Sequence, residues 1–166
     1  MAILLIGGGS RSGKSRQALQ LARQRGQRLG FIATAQALDD EMLERIRVHQ
    51  QERGPDFTTI EEPLALAGAI KRHSDDFDAI VVDCLTLWLS NIATLDVEPE
   101  TAKLLEASLS SPAQVILVTN EVGCGIVPEN AMARKFRDQA GHLNQRVAAA
   151  ASEVYWMVFG CALRVK

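Results

Sequence analysis

Apolar, largely β-branched runs recur along the chain with helical or polar stretches between them: "AILLIG" (2–7), "RLGFIATA" (28–35), "FDAIVVDCLTLWL" (77–89), "AQVILVTNEV" (113–122) and "EVYWMVFGCALRV" (153–165). Their apolar character is continuous rather than alternating, which predicts strands covered on both faces, as in a parallel sheet. Between the first two runs, "SRQALQLARQR" places Ala18, Leu19 and Ala22 on one helical stripe, with Gly26 as its stop. After Pro128 a long helix is predicted, with Met132, Phe136, Leu143 and Val147 near one face. "KRHSDDFD" (71–78) reads as a polar turn, and "TLDVEPETAK" (94–103) as a short loop opening a further helix. The pattern is a repeated βαβ, hence an α/β fold. No repeat, low-complexity tract or linker interrupts it, so residues 1–166 are expected to form one domain.

Length and charge narrow this further. A chain of 166 residues buries roughly 70% of the surface it exposes when unfolded, enough for a core without staples. Lys plus Arg (18) and Asp plus Glu (20) nearly cancel, so no general attraction to nucleic acid or to an anionic membrane is expected and anion binding must be local. Cys84, Cys124 and Cys161 are far apart, without CxxC or zinc-type spacing, and read as free thiols in a reducing compartment. The short run 2–6 matches neither a signal peptide nor a membrane span, which points to the cytoplasm.

Chemistry enters at "GGGSRSGKS" (7–15), where Gly8, four residues, then Gly13-Lys14-Ser15 satisfy GxxxxGK[ST] between a predicted strand and a predicted helix. In such a loop the amides of Gly8, Gly9, Ser10, Arg11, Ser12 and Gly13 turn towards phosphate oxygens, helped by the positive end of the following helix. Lys14 is expected at the β and γ phosphates and the Ser15 hydroxyl on Mg²⁺. Asp83, closing "AIVVD", is the expected second carboxylate for Mg²⁺, although a strand-terminal Asp also serves as a turn or cap residue.

A third segment, "DDEMLERIRVHQQER" (39–53), places Met42, Ile46 and His49 on one helical face and Arg45, His49 and Arg53 along its edge. Two arginines disfavour protonation of the histidine between them, leaving a neutral nucleophile or base near pH 7. On spacing alone the ordinary reading prevails: a lone helical histidine between arginines is more often a partly exposed surface residue.

Taken in order, "GGGSRSGKS", "FIATA", "DDEM..RI..H...R", "TIEEP", "DCLTLWLSN" and "TNEVGCGIVPENAMARKFRD.AGHLNQ" resemble the bifunctional adenosylcobinamide kinase and adenosylcobinamide-phosphate guanylyltransferase family of cobalamin biosynthesis, from Ile3 to Lys166. The resemblance implies a P-loop NTPase with a mostly parallel, RecA-like central sheet flanked by helices. It implies two reactions: phosphorylation of adenosylcobinamide by ATP or GTP, then transfer of GMP from GTP through a histidine to adenosylcobinamide phosphate. It places the guanylylated histidine at His49, with Lys14 beside it as the second catalytic residue, and nucleotide contacts at residues 8–15, at Thr34, Ala35 and Gln36, at Gln50, Gln51, Glu52 and Arg53, and at Glu61 and Asp83. It further implies a homotrimer, for which the apolar C-terminal half is the available surface.

Phe57 stands where family members commonly carry Trp, and the stretch from Asn91 to Ser111 is shorter than usual. Asn120 and Glu121 follow the fourth run, where ligands gather in α/β sheets, while Gly123 and Gly125 are explained as well by turn chemistry. His73 and His142 have no partner in spacing and read as structural or solvated. Two other readings stay open: a small-molecule kinase without nucleotidyl transfer, and a nucleotide-dependent regulator. Against a guanine-specific switch, the strand-end segment reads "TNEV" rather than NKxD.

Overall fold

In chain order the elements are β1 (Ile3–Gly8), α1 (Lys14–Arg23), β2 (Leu29–Ala33), α2 (Asp40–Arg53), β3 (Phe57–Glu61), α3 (Leu66–His73), β4 (Ala79–Asp83), α4 (Leu85–Asn91), α5 (Val97–Ser110), β5 (Gln114–Val118), α6 (Ala131–Ala150), β6 (Glu153–Val158) and β7 (Cys161–Arg164). These come from a computed structural model that describes residues 3–37 and 39–166; the side chains of Arg45, His49 and Glu52 lie outside the described residues.

The strands form one sheet in the order β3-β2-β4-β5-β1-β6-β7. All neighbours are parallel except β6 and β7. Alternation along the central strands divides the core in two. Ile3, Leu5, Ile80, Val82, Val115 and Leu117 face α3–α6 with Trp88, Leu104 and Leu143. Leu4, Ile6, Val81, Ile116 and Val118 face α1, and Phe31 and Phe57 extend that layer. Both faces are covered, which is why these strands read as continuous apolar runs.

Several sequence expectations are corrected. The last run is not one strand but a hairpin that turns at Phe159-Gly160, where φ is +52° and +78°. The third run is a strand only to Asp83, and "LTLWLSN" is helix α4, with Leu85, Trp88 and Leu89 buried. β3 was not foreseen as a strand, because on this edge only Phe57 is buried. On α6, Ala140, Leu143 and Val147 are buried and Phe136 packs partly against them, but Met132 is 76% exposed in the first turn. Helix α1 stops at Arg23, before Gly26, with the Gln24 and Arg25 amides bonded back to Leu21 and Ala22. Among the described residues no helix is long and apolar enough to cross a membrane.

Candidate functional site

Six parallel strands, β1 to β6, end on one edge of the sheet. The register puts Ala33 level with both Glu61 and Asp83, and Asp83 level with Val118, itself opposite Ile6. Glu61 and Asp83 therefore flank β2 at about 10 Å, twice the interstrand spacing. In open α/β sheets ligands gather at this carboxyl edge.

The glycine-rich loop leaves β1 here and enters α1 at Lys14. Gly8 has φ +152°, and a Cβ placed there would lie 2.8 Å from both the Met157 carbonyl and Ser12 Oγ; Gly13 has φ +93°. Both motif glycines thus hold conformations that side chains disfavour. Arg11 too is left-handed, at φ +53°. Gly9, Ser10 and Arg11 are exposed and Ser12 half-buried.

Lys14 is buried, and its ammonium donates to the Gly9 carbonyl at 2.5 Å and, more weakly, to Ser12 Oγ at 3.4 Å. Burial lowers its pKa from the ordinary lysine value, partly opposed by the Asp83 carboxylate. The Ser15 hydroxyl donates to Asp83 Oδ2 at 2.6 Å, joining the loop to the end of β4 across 68 residues of sequence. This pair presents adjacent oxygen donors, the donor type a hard divalent cation takes. Among the described residues there is no cluster of three or more His, Cys, Asp or Glu able to hold a metal.

Thr34 is fully buried. Its hydroxyl donates to the Cys84 carbonyl at 2.9 Å and accepts from the Cys84 amide at 2.8 Å. Ala35 and Gln36 follow it, half-buried, at the rim. This turn is tied down by Asn91, a residue not singled out from the sequence: its Nδ2 donates to the Thr34 carbonyl at 2.8 Å and to Pro63 at 3.0 Å. Trp88 adds Nε1 to the Leu64 carbonyl at 2.8 Å. The only sequence signal was polar atoms inside an otherwise apolar segment. Burial pushes the Cys84 thiol up to about 11, which removes it as a nucleophile at neutral pH.

Helix α2 begins with Asp39 capping the Met42 amide at 2.7 Å. Met42 and Ile46 are half-buried; Leu43, Val48, Gln50 and Gln51 are exposed. His49 lies on this helix, but its side chain, with those of Arg45 and Glu52, is outside the described residues. Arg53 is 4% exposed and sits over the Phe31 ring at 4.0 Å. Burial lowers its pKa, against the opposing pull of Asp83 and Glu61, so all three charges share one field. Glu61 itself is exposed.

Beyond β5 the chain stays laced to β1: the Thr119 amide bonds Ile6 and the Glu121 amide bonds Gly8 at 3.1 Å. Asn120 is fixed through its amide to Thr86 Oγ1 at 2.8 Å, so Asn120 and Glu121 stand beside the loop. The Glu121 carboxylate accepts from the Gly123 amide, and Arg137 holds the Gly123 carbonyl at 2.6 Å. His73 is paired with Asp76 at 3.0 Å on the surface, and His142 is exposed on α6.

Known structures share this fold. The flagellar accessory protein FlaH of Methanocaldococcus jannaschii aligns with 99% of this chain and 78% of its own, at TM-score 0.57 and 13% identity. A RadB recombinase aligns with 93% and 73%, at TM-score 0.57 and 14% identity. These likenesses establish the P-loop NTPase fold alone. In sequence, the bifunctional adenosylcobalamin biosynthesis protein CobP of Pseudomonas aeruginosa is 42% identical over 98% of this chain and 96% of its own. CobU of Salmonella typhimurium, which carries the same description, is 41% identical over 99% of each. The family model described as cobinamide kinase / cobinamide phosphate guanyltransferase matches residues 4–165, and the chain belongs to that family.

Proposed function

We propose that the two activities of the family divide this edge of the sheet between them, the kinase step acting at the γ phosphate over the loop and the guanylyl step at the α phosphate beside α2. The observation that supports the reading is the Ser15–Asp83 contact at 2.6 Å together with the buried Lys14: the loop meets the end of β4 at the edge where β2 and β3 also end. In the kinase step the terminal hydroxyl of the aminopropanol arm of adenosylcobinamide attacks the γ phosphorus of ATP or GTP, and the nucleoside diphosphate leaves. In the guanylyl step an imidazole nitrogen of His49 attacks the α phosphorus of GTP, the α–β bridge breaks, and pyrophosphate leaves. A phosphate oxygen of adenosylcobinamide phosphate then attacks the same phosphorus, the P–N bond breaks, and adenosylcobinamide-GDP forms with the imidazole restored. Splitting the transfer in two is what a covalent nucleophile contributes.

Lys14 serves both steps. A bound phosphate replaces the Gly9 carbonyl as its partner and stabilises the ammonium charge that burial disfavours. Gly8 to Gly13 supply amides, and Thr34, Ala35 and Gln36 with Gln50, Gln51, Glu52, Arg53 and Glu61 line the nucleotide. Mg²⁺ fits the Ser15 and Asp83 oxygens and supplies charge neutralisation on the phosphates when bound. A homotrimer and a cytoplasmic location belong to the same reading; exposed Ile126, Val127, Phe159, Leu163 and Val165 offer apolar surface for self-association.

The test is covalent labelling. GTP labelled at the α phosphate is expected to leave label on the denatured protein through an acid-labile, alkali-stable bond, absent in His49→Ala. No label on the wild type, or full label on His49→Ala, refutes the histidine route. Transfer from γ-labelled nucleotide to adenosylcobinamide reports the kinase half separately.

A further inference from the structure

Among its described residues, α2 is attached to the body by one buried side chain, Arg53, at its last position. The other described side chains of the helix are half-buried or exposed. Arg53 lies four residues after His49, one turn and about 6 Å along the axis, so whatever fixes Arg53 fixes the height and rotation of His49. Two residues given no role above do this. Phe31, on β2, lies under the Arg53 guanidinium at 4.0 Å. Arg23, the last residue of α1, donates Nη2 to the Arg53 main-chain carbonyl at 2.9 Å, one of the helix-end acceptors that lack an intrahelical donor. Arg23 is held in turn by Asp56 at 3.2 Å and lies over the Phe57 ring at 5.3 Å; Phe57 meets Phe31 edge to face at 6.4 Å. Gly54, at φ +73°, then turns the chain out of the helix.

We propose that Arg23 and Phe31 are positioning residues for guanylyl transfer, clamping the C-terminal turn of α2 from its backbone and its side chain so that the His49 imidazole is registered against the α phosphate. This rests on the reading of His49 as the nucleophile. The Arg23–Asp56 pair has side chains 42% and 54% exposed, and exposed ion pairs contribute little to stability, so removing Arg23 leaves the fold in place and releases only the helix end. A misplacement of about 1 Å at a reacting group is worth up to about 100-fold in rate. The kinase step makes no use of α2 as nucleophile and should be spared.

The experiment measures both half-reactions on the full-length protein. At saturating nucleotide, rapid-quench formation of guanylyl-enzyme from α-labelled GTP is expected to slow about 10- to 100-fold in Arg23→Ala, with the kinase rate within about twofold of wild type. Arg23→Lys, which retains a cation able to reach the Arg53 carbonyl, should recover part of the loss. Phe31→Leu, which keeps an apolar side chain but removes the ring, should show the same selective defect. Equal loss of both activities in the Arg23 and Phe31 variants, or no loss of guanylylation in either, overturns the proposal. Retention of label by His49→Ala overturns the nucleophile reading itself and is seen independently of Arg23.

Discussion

Gly8 shows how one position can be closed to every side chain. Its φ of +152° and the Met157 backbone oxygen 2.8 Å from a built Cβ leave no room for one, even if the Ser12 hydroxyl, also at 2.8 Å, rotates away. Gly8→Ala is expected to cost about 1–3 kcal/mol of stability from backbone strain, with additional loss of nucleotide affinity as the loop shifts. Thermal melts with and without GTP check this: the variant should melt lower and gain less from the nucleotide. Lys14 differs in kind. Its type and place were legible from the motif, but its present bonds to the Gly9 carbonyl and Ser12, and the burial that depresses its pKa, belong to the folded loop.

Among the elements, α4 is the brace of the site. Its last residue, Asn91, spans the turns after β2 and before α3, bonding Thr34 and Pro63 carbonyls with one amide group. Asn91→Ala leaves both carbonyls without that donor and should destabilise the protein by about 1–3 kcal/mol, while loosening the turn that carries Thr34 to Gln36. Urea denaturation should show the loss, and the GTP dissociation constant should rise; an unchanged midpoint would refute the bracing role. The same helix was hidden in the sequence by its own apolarity. A short apolar run fits a buried strand or a buried helix equally, and "IVVDCLTLWL" contains one of each. β3 was missed for the opposite reason: it buries only Phe57, so that edge carries no continuous apolar signal. β7 lay inside the last apolar run, and what the sequence hid there was the turn that separates it from β6.

At the scale of the whole molecule the two edges of the sheet have separate tasks. The proposed chemistry lies at the carboxyl edge, and the opposite edge is held by Asp78. Its carboxylate accepts from the Gln27 amide at 2.9 Å and the Arg28 amide at 3.0 Å, and Arg28 Nη2 closes on it at 2.7 Å. These bonds, led by the Arg28 amide, bring its pKa from the ordinary 3.8 to about 2. A depressed carboxylate contributes stability that is present above the unfolded value and lost as pH falls towards the folded one. Asp78→Asn should therefore melt lower than wild type at pH 7, with the gap narrowing from about pH 4 and closing near pH 2. Because Asp78 is remote from the loop, GTP affinity at pH 7 should not change; a fall in affinity would show that the two edges are coupled.

The sequence by itself determined the α/β class, the central strands, the phosphate loop with its lysine, and the family. Each rests on local order: runs of buried strands, motif spacing, and ordered segments that need no knowledge of contacts. Only the tertiary structure decided that Ser15 meets Asp83, that Thr34 clasps Cys84 under Asn91, and that Arg53 is buried on Phe31 at the end of α2. Those pairings join residues 22 to 68 positions apart, and it is sheet order and register, set by which strands share a buried face, that bring them together.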